Sequence, residues 1–116
     1  MATKIYEYRR MVKSAVNSIF GHRLREARRR AGIPQDRLGV QIGLDEHTAS
    51  ARMSRYETGV HEPPFDIALK LAEVLSLPVA YFYCTDDDLA DIVMIWGRLS
   101  KSERIALKAE IEEKYA

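Results

Sequence analysis

The charges of this chain are sorted along its length. Residues 1–32 hold nine lysines and arginines against two acids, a local charge of +7. Residues 33–84 and 85–116 each carry −3, so the whole chain comes to +1. Cations gathered on one third of a near-neutral chain suit the binding of an anion, most simply phosphate. The plainer alternative is a solvated, arginine-rich helix face. The acids suggest no matching chemistry. Asp86, Asp87 and Asp88 follow Thr85 and precede an apolar-spaced segment. They read as the first turn of a helix capped by Thr85, where negative charge complements the helix dipole, rather than as a metal site. Cys84 is the single cysteine, which leaves no internal disulfide and no Cys-based zinc site within one chain. It reads as a reduced, half-buried thiol in a cytoplasmic protein. No Gly-rich phosphate loop and no nucleophile–base pair is evident, so no enzymatic activity, metal or cofactor is expected.

The elements that must position the cations all read as helix. At 47% apolar and 30% charged residues, the 116-residue chain can bury one core as a single domain with appended elements. No stretch alternates with period two. No apolar run approaches the roughly 18 residues of a membrane span, and no apolar signal-peptide core opens the chain. Residues 35–59 carry the clearest pattern. Leu38 and Ile42 share one helix face, Gly43 permits a tight turn, and Leu44 plugs it. Met53 and Tyr56 then stand three apart, and Gly59 closes the second helix. Two short helices joined this way form a helix-turn-helix, whose second helix usually enters the major groove of DNA.

Around this pair the spacing predicts further helices. Residues 1–19 form an N-terminal arm with Ile5, Tyr8, Val12, Ala15 and Ile19 at spacings of three and four. That stripe packs either on the chain's own body or on another chain. The next helix turns Phe20, Leu24 and Ala27 inward, projects Arg23, Arg25, Arg29 and Arg30 outward, and closes at Gly32. Pro34 suits the following helix start. A helix over 65–76 buries Ile67, Ala68, Leu71, Ala72 and Leu75, and Pro78 opens a short one through Tyr83. Leu89, Ile92, Val93, Trp96 and Leu99 stripe a sixth helix. Ser100 and Glu103 give a capping box for the last, whose Ile105, Leu107 and Ile111 form no single seam.

Residues 20–83 resemble the Xre-type DNA-binding domain of phage lambda-like repressors. The residues that carry the resemblance are RLREARRRAGIPQDRL, IGL, MSRYETG and EPPFDIALKLAEVLSLP. The resemblance implies an all-α chain: a five-helix lambda-repressor-like DNA-binding domain over 20–84, flanked by the arm 1–19 and a two-helix extension over 85–116. It implies base contacts from Ser50, Ala51, Arg52 and Arg55, where arginine reads guanine and alanine meets a thymine methyl. It implies phosphate contacts from Gln35, Arg28 and His61, and an ion pair between Arg28 and Glu57. The chain also departs from the pattern. Gly39 replaces the usual alanine and allows closer packing, at about 1 kcal/mol of helix propensity. Between Gly43 and Tyr56 lie about four more residues than most members have; they either lengthen the turn or add about one turn, roughly 5.4 Å, to the recognition helix. Thr48 and Ser50 are good N-caps, which favours the longer turn.

The function expected is a sequence-specific transcriptional regulator, a repressor binding double-stranded DNA as a homodimer on two half-sites. Its expected setting is the prokaryotic or phage-type cytoplasm, at the nucleoid. The alternative is an antitoxin that binds DNA and neutralises a toxin partner through its C-terminal helices. The C-terminal extension and the N-terminal stripe are the dimerisation candidates.

Overall fold

The computed structural model describes residues 19–116, and over these the chain is all-helical. Most of the apolar stripe expected over residues 1–19 therefore lies outside the described residues. Helix α1 runs through residues 19–31, followed by α2 (Gln35–Gln41), α3 (Ala49–Thr58), α4 (Phe65–Leu75), a 3-10 helix (Val79–Tyr83), α5 (Asp87–Arg98) and α6 (Lys101–Tyr115). No described helix is long and apolar enough to cross a membrane.

The core takes one face from each of the first elements. Phe20, Leu24 and Ala27 of α1 meet Leu38 and Ile42 of the α2 region, Met53 and Tyr56 of α3, and Ala68, Leu71 and Ala72 of α4. These are residues spaced three and four apart, so helical periodicity alone brings them to one side. The segment after Pro78 is a 3-10 helix rather than an α-helix, and it closes the core with Tyr81 and Phe82. Phe20 packs on the Phe82 ring at a centroid distance of 4.8 Å, within the range for favourable aromatic pairs.

Two expectations need correction here. Arg23 does not project outward: it is 3% exposed. It stands three residues after Phe20 and four before Ala27, on the edge of the inner face. Its head stays inside because it meets acceptors there. Nε donates to the Cys84 carbonyl at 3.0 Å, and Nη2 lies 2.9 Å from Asp87 Oδ1 in an ion pair without aligned hydrogen-bond geometry. Thr85 does not cap α5. Asp86 does, its carboxylate accepting from the Leu89 amide at 2.9 Å. The acidic run thus supplies the cap as well as the first turn, and no metal-holding cluster of acids, histidines and cysteine occurs among the described residues.

The apolar stripe of α5 divides between two faces. Ala90 is buried, and Val93 and Met94 pack against the core. Leu89, Ile92 and Ile95 are each at least half exposed. Helix α6 buries no residue. It is held at its base by the capping box of Ser100 and Glu103 and by Arg104, whose guanidinium donates to the carbonyls of Trp96 and Gly97 at the end of α5. The Trp96 carbonyl also accepts from the Leu99 amide at 3.1 Å, so Arg104 takes up acceptor capacity still left at the helix end.

Candidate nucleic-acid interface

Helices α2 and α3 are joined by residues 42–48. The end of α2 is locked by paired bonds from the Gly43 amide to Val40 and from the Leu44 amide to Gly39. This geometry needs a left-handed residue after the cap, and Gly43 supplies it with φ +94°. The additional residues lengthen the turn and leave α3 starting at Ala49. Asp45 organises them: its carboxylate accepts from the His47 amide at 2.8 Å, and its carbonyl accepts from the Thr48 amide at 3.0 Å. Thr48 stands at the N-cap position of α3 without making a side-chain cap bond.

Gly39 is where α2 touches α3. A Cβ there would lie 2.8 Å from the Cβ of Ala49 and 3.1 Å from Cγ of Met53, closer than carbon atoms pack. The absent side chain sets the separation of the two helices. Gly21 does the same for α1, where a Cβ would run into the backbone carbonyls of Tyr56 and Glu57. Helix α3 is therefore gripped from two sides by backbone-close contacts.

The gripped face is buried and the opposite face is open. Ala49, Met53, Tyr56 and Glu57 of α3 are buried, while Ser50, Ala51, Arg52 and Arg55 are exposed. Ala51 and Arg55 are four apart and Arg52 and Arg55 three apart, so these three share the outer face. Ser50 stands at the front of the helix. Arg52 and Arg55 line a shallow cleft of about 270 Å³ with Tyr56, His61 and Glu62. The backbone following α3 folds back, the His61 amide donating to the Arg55 carbonyl at 3.2 Å, which places exposed His61 beside the two arginines.

A second group gathers on Glu57, whose side chain is fully buried. Arg28 binds it in bidentate fashion, Nη2 to Oε1 at 2.9 Å and Nε to Oε2 at 3.0 Å. Arg28 also donates to the Ile33 carbonyl at 3.0 Å, fixing the α1–α2 corner. Gln35 donates from Nε2 to Glu57 Oε2 at 2.9 Å, which orients its amide at the start of α2. Arg25 adds a longer contact to Oε1 at 3.3 Å from a side chain that is 41% exposed. Sequence reasoning paired Glu57 with Arg28 and missed Arg25 and Gln35 as partners of the same carboxylate. The signal was present for Arg25, which stands three residues before Arg28 on the same helix face.

The structure thus offers an exposed arginine face on a short, rigidly held helix, flanked by an ordered cluster of donors. Known proteins share this framework. A family model described as a helix-turn-helix domain matches residues 19–81. Among solved structures, the chain is similar to the transcriptional regulator BswR, with a TM-score of 0.76 and 42% sequence identity over 80% of this chain and 92% of that one. A comparison with curated proteins found no match. The family match spans more than half of the chain, and on that ground, with the geometry of α2 and α3, the chain belongs to the helix-turn-helix domain family.

Proposed function

We propose that this chain is a sequence-specific DNA-binding transcriptional regulator of the Xre, lambda-like type, a repressor that acts as a homodimer on two half-sites. Helix α3 enters the major groove. Ser50, Ala51, Arg52 and Arg55 meet base edges, whereas Arg28, Gln35 and His61 meet phosphates. The observation that carries this reading is the division of α3 into a buried face and an open face bearing both arginines. Arginine is the side chain best matched to guanine O6 and N7. Base contacts discriminate and phosphate contacts position, so the two groups of residues have separable roles.

The dimer reading rests on α5. Leu89, Ile92 and Ile95 are 50%, 59% and 50% exposed on its outer side, and a second copy would cover them. Light scattering is expected to give twice the chain mass. Co-purification of a stoichiometric second protein would favour the antitoxin reading instead.

The test of the DNA reading is selection of bound sites from random DNA, followed by Arg52→Ala and Arg55→Ala. Each substitution should cost about 1–3 kcal/mol on the selected site and relax preference at one base pair. Unchanged ratios of selected to scrambled binding in both variants reject the assignment of the recognition face.

A further inference from the structure

A cleft of about 300 Å³ opens where α1, the end of α4 and α5 meet, and no residue of α2 or α3 lines it. Its floor is apolar, formed by Ala27, Leu75, Leu77 and Met94, and its rim carries Arg30 and Arg98. No acid lines it. The two guanidinium groups are poorly matched by the rest of the described chain. Arg30 Nη1 points at the Met94 sulfur, a weak acceptor, and its nearest carboxylate oxygen, on Glu26, is 4.0 Å away. Arg98 has no carboxylate within 4.0 Å among the described residues.

The same cleft is bordered by the left-handed end of α4. Ser76 is the only described non-glycine residue with positive φ, at +54°, where it ends α4. The bonds from the Leu77 amide to Ala72 and from the Ser76 amide to Glu73 hold it there.

We infer that this cleft binds a small organic carboxylate, its hydrocarbon body on the apolar floor and its carboxylate at Arg30 and Arg98. Arginine forks match carboxylate oxygens, and about 300 Å³ is the lower end of the range for small-molecule sites. A ligand of about ten heavy atoms fits that size. An inorganic anion would leave the floor uncovered, and a neutral apolar molecule would leave the guanidiniums unmatched. Bound there, the carboxylate would tie α5, which leads to the C-terminal helix, to the α1–α4 core that supports α3.

The full-length chain is titrated with octanoate and with phenylacetate, with octanamide and inorganic phosphate as controls, and amide chemical shifts are followed. Saturable shifts are expected at Ala31, Ser76, Leu77 and Met94 for at least one of the two acids. Arg30→Gln and Arg98→Gln should each weaken that binding about tenfold. Both side chains are exposed, and melting temperatures measured alongside separate loss of the site from loss of the fold. If a Gln variant does not fold, Arg→Lys at the same position, which keeps the charge and loses the fork, should still weaken binding. The inference is overturned if neither acid gives saturable shifts at these residues. It is equally overturned if octanamide or phosphate binds as tightly as the acids, or if binding survives the substitutions unchanged.

Discussion

Replacing Glu57 with alanine tests whether one carboxylate holds the interface together. Its side chain is fully buried and accepts from Arg28 at 2.9 and 3.0 Å and from Gln35 at 2.9 Å. The Arg25 contact adds little, because that side chain is 41% exposed and water competes for it. Arg28 is the expensive partner. It is 12% exposed, and without Glu57 it keeps only the Ile33 carbonyl. Breaking a buried pair from one side costs about 3–5 kcal/mol, mostly because the remaining charge is stranded. In a domain of this size, about 1 kcal/mol moves the melting temperature by roughly 4–8 °C, so a fall beyond about 10 °C is expected by calorimetry. The double variant Glu57→Met/Arg28→Met should lose less than Glu57→Ala alone, since no charge is left behind. A Glu57→Ala protein that loses less than about 1 kcal/mol, or a double variant less stable than the single, refutes the reasoning.

Other expectations concern the helix ends. Ser76→Gly should raise stability by about 0.5–1 kcal/mol in denaturant unfolding, since glycine adopts the left-handed end of α4 without the serine penalty and returns only part of that gain as unfolded-state entropy; a loss would mean that the serine hydroxyl has a role of its own. The carboxyl of Glu103 is held below its ordinary range by the Ser100 backbone amide and then by the Ser100 side chain. A depressed folded value means that its contribution is present above the unfolded carboxylate range and lost as pH falls through the folded value. Protection of the amides at the start of α6, measured as exchange relative to the intrinsic rate at each pH, should therefore fall on acidification below the ordinary glutamate range, and Glu103→Gln should remove that dependence.

The helices were legible because their apolar residues recur at three and four, and because glycine and proline punctuate them. The turn after α2 was legible for the same reason: Gly43 stands where only a left-handed residue closes the chain. The capping box of Ser100 and Glu103 is a local signal, and the structure contains both of its bonds. What escaped depends on contacts between distant segments. Arg23 looked like a surface cation because nothing near it in sequence announces the Cys84 carbonyl, 61 residues away. The cap of α5 passed from Thr85 to Asp86 because both are capable, and packing of Ala90 against the core sets the register. The division of the α5 stripe escaped because apolar identity does not distinguish a face turned inward from one left open. The crowding of Arg25, Arg28 and Gln35 onto one carboxylate required the approach of α1 to α3 through Gly21, which no periodicity encodes.

The clustering of charge also bears on how ionic strength should act. Read from the sequence, α1 offers five arginines to a polyanion. In the folded chain, Arg23 faces Asp87 and Arg25 and Arg28 share Glu57, while Arg30 comes no nearer than 4.0 Å to Glu26 and Arg29 has no carboxylate within that distance among the described residues. Ions condensed on DNA are released only in proportion to the phosphates that a protein neutralises. A cation already compensated by its own carboxylate releases fewer. Each phosphate neutralised contributes about −0.9 to the slope of log affinity against log salt. The slope of this chain should therefore be shallower than its arginine count suggests, and neutralising Glu57, where the fold tolerates it, should steepen it.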